Sequence, residues 1–341
     1  MERFMQPLYV VGGEQKDDLN SQDEWHVHRA GTVARIDPQT GDARTLFEYQ
    51  SPPELCPDQD PSFLFKASTL HEDRFYTCTS TEVLVYSFPD MELRQRITHP
   101  CFNDLHHINI SPDGLLYVAN TGLDSVVEMT PDGEITRHWS VLDGLKVWER
   151  FSQDVDYRKV LTTKPHLAHP NYVFFVDGDV WVTRCKQRDA ICLTRPGRRF
   201  SVGEACPVHD GIVTSHGIYF TQVDGKITEI DEQTLQMRAE HDLAAMMPGI
   251  RKPGWCRGLH VVDEHRVLVG FSRLRPTKWQ GNLNWLKLTE LRWLHRMPAR
   301  ICLFNLTERK VEWDQPLQDF GMTTVFSIHP DPRTEAASAA A

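Results

Sequence analysis

The chain has 341 residues, 40% of them hydrophobic and 25% charged, a balance that excludes disorder for most of its length. Its formal charge of −10 and pI near 5.9 exclude a general nucleic-acid binder, which needs a net or clustered positive surface. The opening segment 1–7 lacks a secretory signal and no run of roughly 18 uncharged apolar residues is present to span a membrane, so the expected location is cytoplasmic.

In chain order, segments 8–11, 31–36 and 43–49 read as the second, third and fourth strands of a sheet with no first strand before them. A repeat then begins. First strands fall near 66–70, 107–111, 171–175, 209–213, 258–262 and 324–328, and all but the last are followed by second strands at 74–78, 115–119, 179–184, 217–222 and 266–271. Third and fourth strands are clearest at 125–129 and 134–139, around Pro131-Asp132-Gly133. Asp-Gly pairs at 113–114, 132–133, 177–178 and 224–225 supply the positive φ angles of tight hairpins.

Four strands per unit and six units predict an all-β, six-bladed β-propeller over 1–332, read as a single domain. The unpaired first strand at 324–328 completes the fragment at the beginning, so N- and C-terminal segments share one blade and leave no exposed sheet edge. The tail 333–341 is expected to be disordered.

The run Ser111-Pro112-Asp113-Gly114-Leu115-Leu116-Tyr117-Val118-Ala119-Asn120-Thr121 and its repeats resemble the NHL, gluconolactonase and paraoxonase group of six-bladed propellers. That resemblance implies the fold, and for the gluconolactonases a calcium held by an early Glu with Asn and Asp residues at inner strand ends. Asn109, Asn171 and Asp210 stand near such positions, while the early Glu in a Gly-Glu-Gly-Pro setting has no counterpart. A second, shorter resemblance joins His169-Pro170-Asn171 and Thr183-Arg184 to the bacterial arylsulfotransferases, which implies a transferase with His169 and Arg184 in the site.

In a propeller the beginnings of the inner strands ring one mouth of the central channel. Here they carry Lys66, His106 with His107 and Asn109, His169 with Asn171, His209 with Asp210, and Arg257 with His260. Titratable and amide groups at such a constriction must be hydrated, paired or coordinated. Strand alternation lets only one of His106 and His107 face the channel, and His107 with Asn109 is the consistent pair. The expected metal set is His107, Asn171, His209 and Asp210, holding a divalent ion, either calcium or a transition metal. His107, His169 and Arg257 are the candidate catalytic residues, with Lys66, Asn109, Arg184, His260 and Trp285 as ligand contacts. His71, His216 and His329 fall at turns of the opposite face and are set aside.

Insertions at 140–166, 241–256 and 273–299 all leave from the face that carries this ring, where binding loops are usually built. The last holds Trp279, Trp285 and Trp293 and, counted over 273–300, a net charge of +6; a helix is expected, as a lid, a docked helix, or a contact with a membrane or protein partner. The eight cysteines form no C-x-x-C pair and read as reduced; Cys185 and Cys192, which could face each other across a hairpin, read as core-filling thiols. These features point to a small-molecule ligand and metal-assisted, lactonase-like hydrolysis in the central funnel. The alternatives are a non-catalytic docking propeller and an arylsulfotransferase-like transferase. The oligomeric state is not legible from the chain.

Overall fold

Strands at both ends of the chain meet in one sheet. In the computed structural model, which describes residues 6–16, 28–204, 206–250, 252–273 and 297–333, β1 (Leu8–Gln15), β2 (His28–Ile36) and β3 (Ala43–Tyr49) are joined by the last strand, β24 (Thr324–Pro330). β24 pairs antiparallel with β1 from Leu8↔Pro330 to Gly13↔Thr324. Gly12 permits the approach, since a Cβ there would lie 1.8 Å from the Thr324 carbonyl oxygen.

The other blades follow in order, each an antiparallel sheet of four successive strands. They are β4 (Thr69–His71), β5 (Arg74–Cys78), β6 (Val83–Ser87) and β7 (Leu93–Ile97), then β8 (Leu105–Ile110), β9 (Leu116–Asn120), β10 (Ser125–Met129) and β11 (Ile135–Ser140). The fourth blade holds β12 (Pro170–Val176), β13 (Asp179–Arg184), β14 (Asp189–Cys192) and β15 (Arg199–Ser201). β16 (Ile212–Thr214), β17 (Gly217–Gln222), β18 (Lys226–Ile230) and β19 (Met237–Asp242) precede β20 (Trp255–Val261), β21 (Arg266–Ser272), β22 (Arg300–Asn305) and β23 (Lys310–Pro316). The chain is a six-bladed propeller of four-stranded blades, with β4, β8, β12, β16, β20 and β24 innermost.

Local chemistry explains the strands. The β12–β13 hairpin turns on Asp177 and Gly178 at φ of 50° and 77°, the pair of positive angles that a two-residue turn requires. Second strands such as β9 and β13 are buried throughout, whereas β23 alternates between exposed and half-buried residues, as a rim strand with one wet face should. The apolar faces meet between blades: Val83 and Val85 pack with Ile108, Val118 and Val127 of the next blade. Each such fully buried side chain contributes about 1.5–3 kcal/mol of hydrophobic stabilisation.

Four inner strands break register at the same end, β24 among them, where the pairing with β1 shifts between Val11 and Gly12. The other shifts lie between Leu105 and His107 in β8, between Pro170 and Val173 in β12, and between Arg257 and Leu259 in β20. A bulge re-aims the side chains on either side of it. The α-helix α1 (Val147–Arg150) lies in the 140–166 insertion. The helix expected within 273–299, with Trp285, and the tail beyond 333 lie outside the described residues. All eight cysteines are free thiols.

Candidate functional site

A cavity of about 880 Å³ opens at the mouth where the inner strands begin. Lys66, Asp104, His106, His166, His169, Asn171, His209 and Arg257 line it. Asp104, His166 and His169 each bring one ligand atom within 4.8 Å of the others, a group able to hold a metal ion.

Asp104 enters this group through a backbone kink at φ of 49°, just before β8. The preceding Asn103 ties that kink to the 140–166 insertion, donating from Nδ2 to the carbonyls of Tyr157 and Val160 at 2.8 Å each. Asp104 Oδ1 accepts from Lys66 Nζ at 3.1 Å, while Oδ2 is buried with no protein partner. Burial works against the Asp104 charge, but Lys66, and after it His106, His166 and His169, hold its carboxyl well below the usual range.

His166 and His169 sit on the loop that leads into β12. The buried Asp124 carboxylate shapes that loop by accepting the backbone N–H groups of Leu167, Ala168 and His169 at 2.7, 2.9 and 2.8 Å. The two Nδ1 atoms lie 2.8 Å apart, so at most one carries a proton and the other ring presents a bare nitrogen. Desolvation lowers the pKa of both rings, that of His169 well below the histidine range, which keeps them neutral as metal ligation requires. The orphaned Asp104 Oδ2 and these neutral imidazoles fit a divalent cation.

His106 lies beside the group, its ring 4.9 Å from that of His169. Its Nδ1 donates to the Asp104 carbonyl at 2.9 Å, which leaves Nε2 as an acceptor. Phe326 of β24 connects the remaining polar groups: its ring lies 5.5 Å from that of His209, 5.4 Å from Lys66 Nζ and 4.7 Å from the Arg257 guanidinium carbon.

Of the residues expected from sequence, Lys66, His169, Asn171, His209 and Arg257 do line the cavity. His107 does not. The β8 bulge turns His106 inward instead, and His107 lies between blades, stacked 3.5 Å from Tyr172, with Nδ1 accepting from the Val173 N–H at 3.1 Å. Its Nε2 is 3.3 Å from Thr69 Oγ1, so both ring nitrogens serve packing. Asn109, Asp210 and His260 line a second cavity of about 390 Å³ at the opposite mouth. The expected metal set of His107, Asn171, His209 and Asp210 is therefore divided between the blade interface and two mouths, and the convergent group is Asp104, His166 and His169.

Arg184 is also displaced from the expected site: it is buried against Asp189, at 2.8 and 2.5 Å, and against the Val141 carbonyl. Trp285 lies outside the described residues. Asp104 and His166 carry no repeat signal, because they precede the strands; the available clue was His166 three positions before His169 on a Pro-rich loop.

No protein-family model matches the chain, and no curated protein matches it. Solved structures do. A protein of unknown function from Bacteroides caccae matches with a TM-score of 0.60 and 12% identity over 95% of this chain and 98% of its own. A chain of a nidogen/laminin complex matches with a TM-score of 0.55 and 9% identity, over 94% and 97%. Virginiamycin B lyase from Staphylococcus aureus, at a TM-score of 0.48 and 13% identity over 91% and 89%, is too distant to carry an argument. The likeness is one of fold, consistent with the NHL and gluconolactonase-like structural class.

Proposed function

We propose that the protein is a metal-assisted enzyme acting on a small organic anion in the 880 Å³ cavity, by hydrolytic or related chemistry. The observation that carries this reading is the convergence of Asp104, His166 and His169 in a cavity that also holds Lys66, Lys186 and Arg257. Two imidazoles with one carboxylate suit zinc, manganese, iron, cobalt or nickel better than calcium, which prefers oxygen ligands. A divalent ion bound there supplies Lewis acidity to a carbonyl or phosphoryl oxygen.

The chain's own groups define the rest. Lys66 offsets the Asp104 charge, and Arg257 adds a cation beside Phe326 in a chain of net charge −10. Such a local field concentrates anions at the site. Leu64, Val160, Leu161 and Trp255 give the cavity apolar walls for the body of an organic ligand.

The test is metal analysis of the full chain purified without an affinity tag. Roughly one transition-metal ion per chain is expected, lost in Asp104→Asn and His169→Ala. Substoichiometric metal in the unaltered protein, together with thermal stability indifferent to a chelator, would sink the proposal.

A further inference from the structure

The carboxylate of the proposed metal group is already committed to a cation. Asp104 is the one carboxylate among the described residues that line the large cavity, and its Oδ1 pairs with Lys66 Nζ at 3.1 Å. Both residues are buried, Lys66 at 7% exposure and Asp104 at 6%, so solvent and salt screen the pair poorly. Asp124, the second carboxylate acting on His166, is committed too. It accepts three backbone N–H groups and pairs with Arg150 at 2.6 Å. Lys164 and Lys186 line the same cavity and add positive charge beside His166, which opposes its protonation.

The consequence for an ion is one of charge. The Asp104–Lys66 and Asp124–Arg150 pairs each cancel, and desolvation keeps the His166 and His169 rings neutral. Neither carboxylate has charge left to offset a divalent ion. An ion held by Asp104, His166 and His169 therefore brings its charge into a buried group without a counter-charge, which is costly. Three protein ligands also leave coordination open, to be filled by water or substrate. An anionic ligand meets both demands.

We infer that ion and ligand bind this cavity as a pair: the ligand is an organic anion whose oxyanion group, such as a carboxylate, coordinates the ion directly, and each raises the affinity of the other. Lys66 is the positioning residue behind this dependence, because it holds Asp104 in place while taking up its charge. The pairing rests on the proposed metal group. It places the anionic end of the ligand on the ion rather than on the cavity lysines.

Titration of the full chain with Co²⁺ tests this without knowledge of the substrate. Acetate serves as the coordinating anion, perchlorate at equal ionic strength as the non-coordinating one, and acetamide as the neutral isostere. Competition against a chromophoric chelator at fixed pH, corrected for Co²⁺ held by acetate in solution, gives the affinity; the visible spectrum reports the ligands of the bound ion. Acetate should tighten Co²⁺ binding about tenfold over perchlorate and shift the spectrum, and acetamide should do neither. By linkage, Co²⁺ should tighten acetate binding by the same factor.

In Lys66→Met the Asp104 charge is released to offset the ion. Co²⁺ affinity in perchlorate should then rise, and the effect of acetate should shrink; a merely structural role for Lys66 would lower affinity in both media. Lower affinity in this variant would overturn the role of Lys66. The wild-type titrations need no variant to fold. Equal wild-type affinities in acetate and perchlorate, with a proton released per ion as hydroxide supplies the charge, would overturn the pairing and leave the metal reading standing. Failure of Co²⁺ to bind in any medium would sink both.

Discussion

Asp124 Oδ1 accepts the backbone N–H of His169 at 2.8 Å, at a residue held in the left-handed region at φ of 59°. The other carboxylate oxygen of Asp124 accepts from Arg150 Nη1 of α1 at 2.6 Å, so one buried side chain links the 140–166 insertion to the loop bearing His166 and His169. Backbone hydrogen bonds and Arg150 hold the Asp124 carboxyl below its usual range against the opposing effect of burial. These protein contacts shape the loop that bears His166 and His169.

Replacing Asp124 with Asn keeps the shape but turns one acceptor oxygen into a donor that must face backbone N–H groups. Affinity for added Co²⁺ or Zn²⁺ should fall about 10–100-fold, the usual effect of losing a group that orients ligands. Competition against a chromophoric chelator measures this, and the visible spectrum of the Co²⁺ form should change. Unaltered affinity and spectrum would show that Asp124 does not position the ligands.

His107 and His169 should behave in opposite ways. His107→Ala removes a stacked ring and leaves the Val173 N–H without its acceptor, a loss of about 2–3 kcal/mol in urea unfolding with metal binding retained. His169→Ala should abolish metal binding at little cost to the blades. Loss of metal in the His107 variant, with stability intact, would return His107 to the site.

Acid should destabilise the fold before its carboxylates titrate. Desolvation pushes His329 down to about 3 and His260 to about 4, and lowers His107 well below the ordinary range. The unfolded chain protonates these histidines near pH 6.5 but the folded chain does not, so the unfolded state binds more protons in between. Stability is then full above about pH 6.5 and declines as pH falls towards about 4, by roughly 1.4 kcal/mol per pH unit for each such histidine. Urea unfolding across this range should show the slope, and His329→Asn, which removes one contributor, should make it shallower. A flat profile would contradict the neutral burial of these rings.

The strand pattern and the closure of the ring were legible because they depend on spacing along the chain. Asp-Gly turns at 113–114 and 177–178 and the unpaired segments at the two ends each say what the local backbone must do. The mouth that carries the large cavity was legible on the same grounds, and Lys66, His169, Asn171, His209 and Arg257 line it. The choice between His106 and His107 was not, because period-two alternation holds only where strand register is unbroken, and β8 shifts register between Leu105 and His107.

The sequence by itself determined a propeller and the end of its channel where polar side chains gather, since both follow from local periodicity and turn chemistry. Only the tertiary structure decided which of those side chains meet. Asp104 reaches His166 and His169 through a kink pinned by Asn103 and a loop wrapped on Asp124, contacts between segments about 45 to 65 residues apart that no repeat encodes. His209 and Asp210 stand side by side in the chain, yet they line cavities at opposite mouths of the channel.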